Sequence, residues 1–353
     1  MKKIVTIIGA RPQFIKMALV SKALKANGIK EVVIHTGQHY DKNLSAIFFK
    51  ELGIARPDYN LGVGSGPYRE QVTGMLTGIE KVLAREKPAI VLVYGDTNST
   101  VAGAFAASKG GFAIAHVEAG LRSFNRNMAE EVNRIITDAL ADILFCPTRT
   151  AVDNLEKEGR SDGVYLVGDV MYDSIKWNMD RIKHAPGRSQ YILCTIHRAE
   201  NADSAENLHE IFKALGSIKK KVILPLHPRT AGALKKYGIK AGSNIGIIKP
   251  VSYMKMLDLE QHANVIITDS GGVQKEAFIF GIPCVTIRGQ TEWVESVRSR
   301  MNIVVEAKSG KIVSAVRKME RRRKKVDPEV YYGNGYAHRK IADILEKELA
   351  ESK

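Results

Sequence analysis

Along almost the whole chain, short runs of consecutive apolar residues alternate with longer stretches whose apolar positions recur at helical spacing. In the first half the runs fall at Lys3–Ile8, Glu31–Thr36, Ile90–Tyr94, Ala113–His116, Ile143–Cys146 and Val164–Val167. Helix-length segments such as Gln13–Asn27, Ser99–Lys109, Met128–Ala141 and Thr148–Lys157 lie between them. The stretch Gly168–Arg188 interrupts the rhythm and ends in the Pro/Gly break "HAPGRSQ". The alternation then restarts, with runs at Tyr191–Thr195, Lys221–Pro225, Ile245–Ile248, Asn264–Thr268, Pro283–Ile287 and Ile303–Val305. Strands that are apolar throughout are buried on both faces, the pattern of parallel sheets covered by helices. The chain is therefore expected to be α/β, with two Rossmann-like doubly wound domains around a cleft. Their predicted bounds are residues 1–170 and 189–334, joined by a linker at 171–188. A last helix within 335–353 is expected to pack back on the N-terminal domain.

Composition narrows the class. With 353 residues, the chain is long for a single core. No apolar run approaches the roughly 20 residues that span a bilayer. The opening "MKKIVTIIGARPQ" has two lysines before an apolar run, but that run is short and leads into Arg11-Pro12, so it reads as a first strand and not as a leader. Cys146, Cys194 and Cys284 each sit in an apolar stretch, as buried thiols of a reducing compartment do, which points to the cytoplasm. Lys and Arg total 53 against 38 Asp and Glu, a net charge of +15. That balance suits nucleic acid, an acidic membrane face or a phosphorylated small molecule. There is no zinc finger, helix-turn-helix or aromatic-rich single-strand signature, so nucleic acid is disfavoured. The run "RKMERRRKK" (Arg317–Lys325) reads as a solvated helix end.

Candidate chemistry concentrates where strands turn into helices. "IIGARPQFIK" offers Gly9 for a tight exit, Pro12 at the first helical position and the cations Arg11 and Lys16, an arrangement suited to an anion. It is neither a Walker loop nor G-x-G-x-x-G, and "GVGSG" at Gly62–Gly66 lacks that spacing too. "VLVYGDTNST" ends a strand at Asp96, where a helix cap is the plainer alternative. "AHVEAGLRS" brings Glu118 and Arg122, and "NMAEEVNR" brings Glu130-Glu131. Several carboxylates at neighbouring strand ends exceed what capping needs and suit acid/base work. "LCTIHRAEN" supplies His197 and Arg198, and "LPLHPRT" supplies His227 and Arg229, two basic pairs at equivalent strand ends. His35 and His39 lie close together without a third ligand at useful spacing, so no metal site is expected. Finally, "TDSGGVQKEA" lets the amides after Ser270, Gly271 and Gly272 approach a phosphate, with Glu276 placed to accept the hydroxyls of a ribose.

Together "GARPQFIK", "HTGQHYD" with Gln38, "YGDTNST", "HVEAGLRS", "EEVNR", "VGDVMYDS", "HRAEN", "PLHPR", "TDSGGVQKEA" and "TEWVE" resemble the non-hydrolysing UDP-N-acetylglucosamine 2-epimerase family. The resemblance runs through almost the whole chain. It implies a glycosyltransferase-B-like architecture, usually homodimeric, with UDP held mainly by the C-terminal domain at Ser270, Gly271, Gly272 and Glu276. It also implies Arg11, Lys16 and His197 at the diphosphate, with Asp96, Glu118 and Glu130 as catalytic carboxylates and His197 beside them. Gln38, Arg122, Arg198 and His227 are further candidates. The implied reaction uses no cofactor. A base removes the C2 proton, UDP leaves C1 to give a bound 2-acetamidoglycal, and UDP re-adds as the proton returns to the opposite face. The sequence departs from the family pattern where Gln13 and Lys275 replace Glu and where Trp293 replaces an arginine. These changes, with "RSFN", "LHPRT" and "QKEAF", resemble the branch acting on UDP-2,3-diacetamido-2,3-dideoxy-glucuronate, whose uronate would favour a less acidic site. Both UDP-sugars stay open at this point, with UDP-N-acetylglucosamine slightly ahead.

Overall fold

The computed structural model describes residues 2–38, 53–64, 66–182, 190–322 and 326–351. His39 and the end of the basic run, residues 323–325, lie outside the described residues. The chain divides into two compact units, Met1–Asn178 with Glu329–Lys353 and Met179–Pro328.

Unit one is built on β1 (Lys3–Ile8), β2 (Lys30–His35), β3 (Tyr59–Asn60), β4 (Ile90–Tyr94), β5 (Ala113–Val117), β6 (Ile143–Cys146) and β7 (Val164–Leu166). They form a seven-stranded sheet in the order β3-β2-β1-β4-β5-β6-β7, with every neighbouring pair parallel. The central strands are buried along their length, Ile90–Tyr94 on every residue, which is why they read as unbroken apolar runs. The helices are α1 (Arg11–Ala26), α2 (Tyr68–Glu86), α3 (Asn98–Lys109), α4 (Ala129–Leu140), α5 (Arg149–Lys157) and α6 (Val170–Asn178). Where the sequence suggested a linker from 171, α6 is a regular helix of unit one with Val170–Ile175 buried.

Unit two holds β8 (Ile192–Thr195), β9 (Val222–Pro225), β10 (Ile245–Ile248), β11 (Val265–Thr268), β12 (Cys284–Ile287) and β13 (Asn302–Val305). Their order is β10-β9-β8-β11-β12-β13, again all parallel. Helices α7 (Ala199–Ala202), α8 (Ala205–Ser217), α9 (Pro228–Tyr237), α10 (Tyr253–His262), α11 (Gly271–Ile279), α12 (Val294–Arg298) and α13 (Ser309–Glu320) complete it. The chain then returns to unit one through α14 (Glu329–Tyr332) and α15 (Ala337–Glu351). There Asn27 Nδ2 donates to Asp343 (3.0 Å) and Glu346 (2.8 Å), and the buried Asp173 accepts from the His338 backbone (2.8 Å).

In both sheets the winding direction reverses once, between β1 and β4 in unit one and between β8 and β11 in unit two. At such switch points adjacent strands send their connections to opposite faces, and the carboxyl ends open a crevice that side chains do not fill. The turns leaving those four strands carry Arg11, Asp96, His197 and Ser270. Among the described residues no helix is long and apolar enough to cross a membrane.

Candidate active site

In unit one the cluster is assembled from the turns after β1, β4 and β5. Lys16, in the second turn of α1, is buried and ion-pairs with Glu118. Glu118 takes a left-handed conformation, φ +74°, in which the backbone amides of Glu118 and Ala119 both donate to the Phe145 carbonyl. A non-glycine residue held there carries on the order of 1–3 kcal/mol of backbone strain, and its reward is the direction of the carboxylate. Between Lys16 and Glu118 lies Gly95, φ +64°. A Cβ at that position would lie 3.0 Å from Lys16 Nζ and 3.2 Å from Glu118 Oε2, so a side chain would displace the pair.

The next residue, Asp96, is half-buried and ion-paired to Arg134 of α4. Arg134 also holds Glu131 at 2.6 Å, and Asn133 Nδ2 donates to the Asp96 carbonyl at 3.0 Å. Glu131 is fully buried and accepts from the backbone of Ser123 and Phe124 and from the Ser123 hydroxyl. The acidic pair of "EEVNR" is thus split. Glu131 ties down the β5–α4 loop, whereas Glu130 sits partly exposed in the first turn of α4. Glu118 and Asp96 each face their own cation, Lys16 and Arg134.

Beneath the cluster lies a brace that the sequence did not reveal. His116 is fully buried, with Nδ1 2.7 Å from Asp138 and Nε2 2.7 Å from the carbonyl of Gly95. Asp138 also accepts from the Gly120 amide (3.0 Å) and from Arg122 (2.7 Å). Burial alone would push the Asp138 carboxyl up, but the hydrogen bonds and charges of His116 and Arg122 outweigh it and hold it below the usual carboxylate range. Arg122, a candidate ligand from the sequence, is turned inward. It is buried, and it bonds Asp138, Glu158 and the Leu121 carbonyl. Gln38 also serves the scaffold, accepting from the amide (3.0 Å) and hydroxyl (2.7 Å) of Ser99 at the start of α3.

Gln13 braces the first turn from inside. Its Oε1 accepts from the amides of Gly9 (2.8 Å) and Ala10 (2.9 Å), and its Nε2 donates to the Tyr94 carbonyl (2.9 Å) and Thr100 Oγ1 (3.0 Å). The side chain is 1% exposed and satisfied on both ends, so it ties the β1 turn to β4. Arg11 is half-buried at the first residue of α1.

In unit two the site is made largely of backbone. Ser270 caps α11, its Oγ accepting from Val273 N, and Gly271 and Gly272 form the first helical residues. Their amides belong to the set that a helix leaves without intrahelical partners, and the helix dipole adds positive potential there. A Cβ on Gly271 would come 2.7 Å from Glu292 Oε1, so a side chain there would push the Glu292 carboxylate aside. Glu276 is buried one turn further on.

Asp269, which sequence reasoning passed over, joins the two turns of this switch point. It is fully buried and accepts from the amides of His197 (3.1 Å) and Arg198 (3.0 Å) and from Asn201 Nδ2 (3.2 Å). The His197 ring, 40% exposed at its side chain, lies 3.3 Å from the same carboxylate. His227 stands beside it, ring centroids 5.6 Å apart, and caps α9 by accepting from the Arg229 amide (3.2 Å). Arg229 itself is engaged by Asp203 at 2.8 Å. The signal for Asp269 was present in "TDSGG", but its partners lie about seventy residues upstream.

No group of three or more His, Cys, Asp or Glu side chains among the described residues is placed to hold a metal. The three thiols are buried, and burial pushes Cys284 up to about 12 and Cys146 and Cys194 higher still, which keeps them protonated and unreactive.

Two doubly wound parallel units, one bearing ion-paired carboxylates at its strand ends and the other a glycine-opened helix start, define an α/β enzyme of glycosyltransferase-B-like fold. The calicheamicin glycosyltransferase CalG4 shares that fold alone, at a TM-score of 0.53 and 13% identity over 99% of both chains. The family model UDP-N-acetylglucosamine 2-epimerase matches residues 22–346. The UDP-2,3-diacetamido-2,3-dideoxy-D-glucuronate 2-epimerase of Pseudomonas aeruginosa is 50% identical, over 98% of this chain and 99% of that protein. The crystal structure of Methanocaldococcus jannaschii UDP-GlcNAc 2-epimerase in complex with UDP-GlcNAc and UDP matches with a TM-score of 0.93 at 41% identity, covering 98% of this chain and 100% of that one. The chain belongs to the UDP-N-acetylglucosamine 2-epimerase family, and it is an isomerase, a non-hydrolysing UDP-sugar 2-epimerase.

Proposed function

We propose that this enzyme inverts C2 of a UDP-2-acetamido sugar, interconverting UDP-N-acetylglucosamine and UDP-N-acetylmannosamine, by eliminating UDP to a bound 2-acetamidoglycal and adding it back. The observation that carries this reading is the gathering of Lys16, Glu118 and Asp96 around Gly95, with Glu130 at the start of the neighbouring helix. Proton abstraction and return at one carbon need a base and an acid of similar kind on opposite faces, and carboxylates held in fixed directions meet that need. Asp96, Glu118 and Glu130 are assigned these proton transfers. The leaving diphosphate gathers charge as the C1–O bond breaks, and preorganised donors lower the cost of that charge. We assign this role to the amides of Gly271 and Gly272, with Arg11, Lys16 and His197 as the cationic partners and Arg198 and His227 nearby. Ser270 and Glu276 complete the nucleotide site, Glu276 accepting the ribose hydroxyls. No cofactor enters the scheme.

A second reading keeps the chemistry and changes the sugar to UDP-2,3-diacetamido-2,3-dideoxy-glucuronate. Its support is the 50% identity to the Pseudomonas aeruginosa enzyme of that name. The protein is further proposed to act in the cytoplasm as a homodimer, with a UDP-sugar for a polysaccharide as its product.

Offering each UDP-sugar in deuterium oxide and following C2 by proton NMR tests the whole proposal. Inversion with solvent deuterium entering C2, and no acceptor present, is the expected result. Transfer of the sugar only when an acceptor is added would replace epimerisation with glycosyl transfer.

A further inference from the structure

Lys275 and Trp293, eighteen positions apart in sequence, meet in the core of unit two. Lys275 is 1% and Trp293 3% exposed, and Lys275 Nζ lies 4.1 Å from the centroid of the Trp293 ring. An ammonium withdrawn from water is costly unless something replaces its hydration, and an aromatic face does so most strongly when both groups are desolvated. The indole also reaches the start of the same helix. Trp293 Nε1 would lie 3.6 Å, and Glu292 Oε1 2.7 Å, from a Cβ at Gly271. Glu292 in turn is held by Arg288 at 2.9 Å. The loop 288–293 is therefore tied to α11 by the Lys275–Trp293 contact and by Thr291 Oγ1, which donates to Gln274 Oε1 at 2.8 Å, and it lies over Gly271.

We propose that Lys275 and Trp293 work as one positioning unit of the nucleotide site. The cation beneath the ring holds the loop 288–293 against Gly271 and so fixes the room above the amides of Gly271 and Gly272 in which a nucleoside diphosphate sits. The two departures seen in the sequence are then a single coupled exchange, and neither residue reads the sugar directly. The proposal rests on the assignment of UDP to this turn. It has a built-in reporter, because the chain contains two tryptophans and the other, Trp177, is 57% exposed in unit one.

The test is a double-mutant cycle of Lys275→Met and Trp293→Leu with UDP affinity read by calorimetry. Each single change is expected to weaken UDP about tenfold, and the double change no further than about tenfold, since the second has nothing left to break. Losses that multiply, or single variants that bind UDP as the parent does, overturn the proposal. Trp293→Phe keeps a weaker ring and is expected to fall between parent and Trp293→Leu; affinity as low as that of Trp293→Leu counts against the cation–ring contact. In a Trp177→Phe background, Lys275→Met is expected to change Trp293 emission without any nucleotide present, and unchanged emission contradicts the pairing. If the parent protein binds no UDP, the nucleotide assignment fails, while this emission measurement still decides the contact.

Discussion

The two switch points share a topology and differ in material. In unit one the turns present charged side chains, several of them paired at close range: Lys16 with Glu118, Arg134 with Asp96 and Glu131, Arg122 with Asp138, which His116 also contacts. In unit two the turns present peptide amides and glycines, with the one fully buried carboxylate at the turns, Asp269, holding the backbone of His197 and Arg198. Side chains proposed to exchange protons need individual directions, and Glu118 takes its direction from a left-handed backbone conformation. A diphosphate needs only positive potential at fixed distance, and a helix start supplies that without a titratable group. Unit one thus carries the proposed proton chemistry, and unit two most of the proposed grip on the nucleotide.

The sharpest way to break this division is to remove the proposed proton carriers. Asp96→Asn, Glu118→Gln and Glu130→Gln are each expected to lower kcat by about 10²–10⁴-fold, while UDP affinity by calorimetry stays within about twofold. A matching fall in UDP affinity would show that these carboxylates support nucleotide binding and not proton transfer alone. Glu276→Ala is the reciprocal experiment. Losing a buried charged acceptor is expected to weaken UDP binding by about 10–100-fold, and unchanged affinity removes the ribose from Glu276.

Gln13→Glu asks whether a residue of the unit-one turn sets the sugar. The two bonds donated by Nε2 vanish and a charge is buried, so stability in urea is expected to drop by about 1–3 kcal/mol. The ratio of turnover on the two UDP-sugars should not move; a changed ratio would return Gln13 to the substrate. The smallest effect concerns acid. Asp138 has a folded value below its unfolded one, so it contributes stability above about pH 4 that is lost as pH falls through the lower folded value. Asp138→Asn is expected to flatten that acid limb of the unfolding curve while lowering stability near neutrality, and an unaltered limb would show that other carboxylates govern it.

What the sequence disclosed follows from range. Strands such as Ile90–Tyr94 are legible because every residue is buried, and the Ser270-Gly271-Gly272 turn because its conformation is dictated by adjacent residues. Helices α7, α12 and α14 have four or five residues, too few for a period to emerge, and the two-residue β3 left no pattern. Asp269, His116 and Arg134 escaped notice for a different reason. Each does its work on a partner 21 to 72 positions away, and nothing local distinguishes them from a cap, a strand histidine or a surface arginine. The bracing role of Gln13 was hidden likewise, since its contacts Tyr94 and Thr100 are 81 and 87 positions on.

The return of the chain through α15 has a consequence for biosynthesis. Unit one is opened by the first strand to leave the ribosome, yet Asn27 in the turn after α1 meets Asp343 across 316 positions. At ~5–20 residues per second, that partner appears more than ten seconds after α1. Unit two is an uninterrupted segment, Met179–Pro328, and can close while its elder neighbour still waits. The half of the enzyme that begins first is the half completed last, so a nascent chain that stalls near its end carries a finished holding unit and an unsealed chemical one.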